Sequence, residues 1–127
     1  MQFLSDEWAD AYTTLLNEDE VVQKKLRKFS SCFKYEIEER QVLVIEVTKG
    51  KCTSYGPEDA FEAKKIEFSM KADAETWQQI FNKELGMKAA LSAKKLHLDG
   101  PKLKALSNKT GLERSAILML GMQGVTL

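Results

Sequence analysis

A chain of 127 residues, 43% hydrophobic and 30% charged, has room for one folded domain, and a domain of that size buries roughly two-thirds of the surface its unfolded form exposes. Nineteen basic side chains against nineteen acidic ones leave no net charge, which removes the cationic footprint of a duplex-binding protein, so no nucleic-acid partner is expected. Cys32 and Cys52 belong to no CxxC motif or Cys/His cluster, which leaves two reduced thiols on strands and neither a metal site nor a cofactor.

The first thirty residues read as two helices. Ser5 with Asp6 and Glu7 supplies a cap and an acidic first turn, and Trp8, Tyr12, Leu15 and Leu16 then fall on one helical face. Asn17 to Glu20 ends that helix and starts a second carrying Val22, Leu26 and Phe29. From Cys32 the period changes to two. Phe33, Tyr35 and Ile37 alternate with Lys34, Glu36 and Glu38, and Leu43, Ile45 and Val47 follow a polar turn at Glu39 to Gln41, the pattern of an antiparallel hairpin. Gly50, Gly56 and Pro57 punctuate a tight turn, a third strand around Cys52 to Tyr55 and a surface loop. Ile66, Phe68 and Met70 alternate with Lys65, Glu67, Ser69 and Lys71 in a fourth strand. One side of this sheet is apolar and the other charged, so helices must cover one face.

Asp73 caps a helix whose Trp77, Ile80, Phe81 and Leu85 form an apolar stripe ended by Gly86. Met87 to Ala93 is a short helix of small side chains. Lys95 to Gly100 is a fifth strand with Leu96 and Leu98 on one face and His97 on the other. Pro101 starts a helix through Leu103 and Leu106, and after Gly111 a last helix runs from about Leu112 to Met122.

Catalytic patterns are missing. There is one histidine, no GxSxG and no glycine spacing for a phosphate loop. The acidic runs Glu18 to Glu20 and Glu36, Glu38, Glu39 read as solvated surface, so no enzyme is expected. Residues 1 to 8 lack the basic head and apolar stretch of a signal peptide. The apolar run AILMLGMQGVTL falls short of the about 20 residues a bilayer span needs. A soluble cytoplasmic protein is expected.

The charges are unevenly placed. The first twenty residues hold six acidic groups and no basic one, whereas Lys83 to Arg114 holds eight basic groups and three acidic ones. Attraction between the two ends of a solvated fold accounts for this; a sharper reading has Lys88, Lys94, Lys95, Lys102 and Lys104 ring a cavity mouth. There they would meet anionic headgroups or a ligand carboxylate, each charge near a membrane contributing about 1 kcal/mol.

The stretches FLSDEWADAYTTLLNEDE and TWQQIFNKELGMKAALSAKKLHLDG, the latter ending in the strand Lys95-Leu96-His97-Leu98-Asp99-Gly100, resemble the sterol carrier protein 2 (SCP-2) sterol-binding domain family in its small free-standing prokaryotic form, over nearly the whole chain. The resemblance implies an α+β fold in one domain, residues 1–127. A five-stranded, mostly antiparallel sheet is covered on one face by about five helices, with an apolar tunnel between them. It also implies a non-enzymatic carrier of a fatty acid, fatty acyl-CoA or sterol-like lipid, with transient membrane contact. Trp77, Ile80, Phe81, Leu85, Leu96, Leu98, Leu103, Leu106, Ile117 and Met119 are the candidate wall residues, each equally open to plain core packing. A chain of ~15 carbons gains on the order of 12 kcal/mol on leaving water for such a pocket, and nearly as much in a bilayer, so exchange between the two is close to neutral. Two other readings stand beside the carrier: a dimerisation or scaffold module whose cavity is filled by its own C-terminal helix, and an accessory subunit for acyl-CoA chemistry whose lysines hold phosphates.

Overall fold

Strand alternation and helical stripes become two layers in the computed structural model, which describes residues 1–127 throughout. The helices are α1 (Asp6–Glu18), α2 (Glu20–Lys25), α3 (Ala74–Phe81), α4 (Met87–Ser92), α5 (Lys102–Ser107) and α6 (Lys109–Leu120). The strands are β1 (Ser31–Ile37), β2 (Gln41–Thr48), β3 (Lys51–Gly56), β4 (Ile66–Ala72) and β5 (His97–Asp99). They form one mixed sheet in the order β3-β2-β1-β4-β5. Its neighbours are antiparallel except for β1 and β4, which run parallel.

Ser5 and Asp73 cap the helices the sequence assigns them, and within the run Asn17 to Glu20 it is Asp19 that caps α2. Ser5, Asp19 and Asp73 each accept a hydrogen bond from the backbone N–H three residues on, at Trp8, Val22 and Thr76, which satisfies one of the free donors at a helix start. The β2–β3 turn has both Lys49 and Gly50 at positive φ, 49° and 82°, as a two-residue hairpin of right-twisted strands requires. Only glycine fits at 50, because a Cβ there would sit 2.8 Å from the Leu26 carbonyl oxygen.

Several boundaries differ from the sequence expectation: α2 stops at Lys25, short of Leu26 and Phe29, and β5 is only His97–Asp99, without Lys95, Leu96 and Gly100. The α3 helix stops at Phe81, where Lys83 turns left-handed at φ 63°, and Gly86 opens α4 instead of closing α3. Gly111 lies inside α6, not before it. A Cβ at Gly111 would meet Leu26 side-chain atoms at 2.5 Å, so this glycine lets α6 lie directly on α2. The six helices are the ones the sequence pattern marks singly, one more than the about five that the resemblance implies.

Phe33, Tyr35, Leu43, Ile45, Val47, Phe68 and Met70 point towards the helices and join or pack against the main core. The outer face is less exposed than its charges suggest. Because β3 lies at one edge and β4 pairs with β1, the connection 57–65 has to cross that face. Its turn Glu58–Ala60 packs on β2, and Lys34 donates to Glu58 Oε2 at 2.8 Å. Val44 and Cys32 are thereby buried outside the main core.

The chain ends are tied together. Phe3 N–H donates to the Thr126 carbonyl and Thr126 N–H to the Met1 carbonyl, while Val125 is buried. No helix is long and apolar enough to cross a membrane.

Candidate functional site

The two layers pack unequally along the sheet. At the end near α3 the core is solid and aromatic. Phe3 lies within 5 Å of the rings of Trp8, Trp77 and Phe81, and Trp77 Nε1–H donates to the Glu36 carbonyl at 2.9 Å. The Trp8 Nε1–H is buried beside this cluster without a hydrogen-bond partner.

Towards α5 and α6 the layers separate and leave a cavity of about 560 Å³. Its floor is the sheet, through Phe33, Tyr35, Ile45, Val47, Phe68 and Met70. Tyr12, Leu16, Val22 and Leu26 of the first two helices wall it on one side; Leu112, Ala116 and Met119 of α6 wall it on another. Eighteen of the 26 lining residues are hydrophobic, so the space suits an aliphatic chain better than a polar solute.

The groups around it hold that shape. Phe33 and Phe68 stack at 5.2 Å, and Gly100 lies so close to the Phe68 ring that a Cβ would collide with it. Asn17 fixes α1 to the sheet edge by accepting from Cys52 N–H at 2.7 Å and donating to the Cys52 carbonyl. Arg114 of α6 grips both oxygens of Asp19, at 2.8 and 3.2 Å, so the cap of α2 also anchors the cavity's outer helix. The Asp19 carboxyl titrates below its usual range, chiefly because of that hydrogen bond from Arg114.

Polar groups inside the cavity are neutral. The Tyr12 hydroxyl donates to the Ser115 carbonyl at 3.3 Å. Burial, and then the neighbouring Tyr35, raises its pKa well above normal. Burial likewise raises Tyr35 and pushes the Cys52 thiol up to about 11. Formal charge is confined to the rim, where Asp99, Lys102, Lys109 and Glu113 are exposed yet line the space. Such an arrangement can hold an amphiphile with its chain inside and its head outside, but it offers no activated nucleophile or paired acid and base. No three His, Cys, Asp or Glu side chains gather as a metal site would need.

The candidate wall residues are spread over three environments. Leu98 and Met119 line the cavity. Trp77, Ile80 and Leu96 are buried in the solid core, with Phe81 and Leu85 packed against it; the stripe of α3 was legible, but which part of the sheet it would cover was not. Leu103, Leu106 and Ile117 face solvent. The five lysines are not gathered into one ring. Lys102 is at the rim, Lys104 is tied to Glu67 and the Ser30 carbonyl, and Lys88 is exposed on α4. Lys94 and Lys95 border a separate polar hollow with Glu38, Asp73, Glu75 and His97. The lining residues of α1, α2 and the sheet were visible in the sequence as apolar periodicity, but the pattern carried no sign that these faces stand apart.

A family model, the SCP-2 sterol transfer family, matches residues 12–113. Among solved structures, the chain is similar to a crystal structure of sterol carrier protein 2, with a TM-score of 0.74 and 20% identity over 94% of this chain and 98% of that one. A conserved hypothetical protein from Thermus thermophilus gives a TM-score of 0.65 and 22% identity, covering 94% and 89%. A ubiquinone synthesis protein, UbiJ-SCP2, gives 0.55 and 12%, covering 86% and 90%. No curated protein sequence matches the chain significantly.

Proposed function

The chain belongs to the SCP-2 sterol transfer family, and on that premise we propose that it is a non-enzymatic lipid carrier, a single domain working in the cytoplasm. The observation that carries this reading is the 560 Å³ apolar cavity with its charges kept at the rim. A fatty acyl chain fits that division best: its methylenes lie against Phe33, Met70, Leu112 and Met119, and its carboxylate or thioester head lies near Lys102. Each buried methylene stabilises the complex by about 0.8 kcal/mol, whereas a buried charge without a partner would cost several times that. The α6 helix forms a wall of the space and leaves it open, which favours a carrier over a module plugged by its own helix.

The test is native mass spectrometry of the purified protein, followed by organic extraction and lipid identification. A fatty acid or similar lipid near one per chain is the expected result. A clean apo mass that fatty acids and acyl-CoA leave unchanged would defeat the proposal.

A further inference from the structure

One large side chain of the cavity floor differs from the rest. Phe33, Ile45, Val47, Phe68 and Met70 present only carbon and sulfur, whereas Tyr35, 6% exposed, brings a hydroxyl into the same surface. A hydroxyl taken out of water costs free energy unless something bonds it, and buried polar groups are nearly always bonded. The Tyr35 hydroxyl makes no hydrogen bond of ordinary length and angle to the protein. Tyr12 beside it is near enough to affect its ionisation, but spends its own proton on the Ser115 carbonyl. The other orphan, Trp8 Nε1–H, is sealed in the solid core, whereas Tyr35 opens on the cavity, where an entering molecule meets it.

The sheet register sets the depth of this hydroxyl. Tyr35 is paired with Met70, and Met70 with Leu98, so two strand spacings, about 10 Å, separate it from the strand that borders the rim. On the inner side Tyr12 stacks on Trp8 at 4.9 Å, where the cavity gives way to solid core. The charged lining groups, Asp99, Lys102, Lys109 and Glu113, are all at the rim. Burial keeps both tyrosines protonated. The inner spot therefore offers a proton and lone pairs from Tyr35, and lone pairs from Tyr12. A carboxylate there would have no cation, so the ligand's acidic head belongs elsewhere. A hydroxyl matches both tyrosines, accepting from Tyr35 and donating to Tyr12; a keto oxygen matches Tyr35 alone.

We propose that the lipid this cavity selects carries a neutral oxygen part-way along its chain, a hydroxyl first and a keto group second, bound at the Tyr35 hydroxyl. This inference rests on the carrier reading and names the ligand class within it: a mid-chain oxygenated fatty acid with its head near Lys102. A plain chain fills the same space but covers the Tyr35 hydroxyl without bonding it, and binds more weakly for that reason.

The test is displacement of a fluorescent fatty acid by stearic acid, 10-hydroxystearic acid, 10-ketostearic acid and octadecanol, on the native protein and on Tyr35→Phe. The native protein should bind the hydroxy acid about tenfold more tightly than stearic acid, with the keto acid between. Because the Tyr35 hydroxyl holds no protein bond, the variant should keep the native melting temperature, bind stearic acid at least as well, and reverse the order. Native affinities that do not favour the oxygenated acids would overturn the proposal and leave the carrier reading standing. Equal weakening of all the lipids in the variant would also overturn it, since Tyr35 would then only shape the wall. So would a dependence on Tyr35 shown by octadecanol and not by the hydroxy acid, because the hydroxyl would then be reading a head that enters first. If none of the four displaces the probe, the carrier reading falls and this inference falls with it.

Discussion

Replacing Ala116 by tryptophan should abolish lipid binding and leave the fold intact. Ala116 sits on α6 and lines the cavity, so a larger side chain there has room to grow inward. An apolar hole of about 150 Å³ accepts a benzene, and an indole therefore takes roughly a third of the 560 Å³ present. A ~15-carbon chain would then lose about five methylenes of contact, on the order of 4 kcal/mol at about 0.8 each, or roughly a thousandfold in affinity. The indole itself buries apolar surface, which offsets the strain of overpacking, so the melting temperature should hold or rise. Displacement of a fluorescent fatty acid reads the affinity, and thermal unfolding reads the fold. A variant with native stability and native affinity would refute the assignment of this cavity as the ligand site.

Trp77→Phe should cost more stability than Trp8→Phe by about 1 kcal/mol in urea unfolding, because it removes the hydrogen bond that Trp77 Nε1–H gives the part-buried Glu36 carbonyl, whereas Trp8 Nε1–H has no partner to lose. The carboxyls of Asp19, Glu67 and Asp73 all titrate below normal, held respectively by Arg114, Lys104 and the Thr76 backbone N–H. Their contribution is fully present above the unfolded-state values, 3.8 for Asp and 4.5 for Glu, and is lost as pH falls through the lower folded values. Acid unfolding below pH 4 should therefore be shallower in Asp19→Asn than in the native protein, which a pH series of melting curves would show. With its pKa pushed to about 11 by burial, Cys52 should react slowly with a maleimide at pH 8 and faster as pH rises, and a bound fatty acid should slow it further.

The sequence by itself determined the parts. Period-two alternation from Phe33 to Met70 set the strands and their apolar face, Ser5, the run Asn17 to Glu20 and Asp73 set the helix starts, and Gly50 set the hairpin turn, because each depends on residues close in the chain. Its local motifs also carried the family resemblance. Tertiary structure decided what these faces do. Whether an apolar stripe becomes solid core, as at Trp77 and Ile80, or cavity wall, as at Leu112 and Met119, depends on the distance between layers. That distance is set by long-range contacts: Gly111 against Leu26, Arg114 on Asp19, Gly100 against Phe68. The same holds for Leu103 and Leu106, which read as ordinary core spacing until the fold leaves them outside. Hydrophobicity marks a side chain as favouring an apolar neighbour; only packing between residues distant in the chain selects that neighbour, whether protein or a bound lipid.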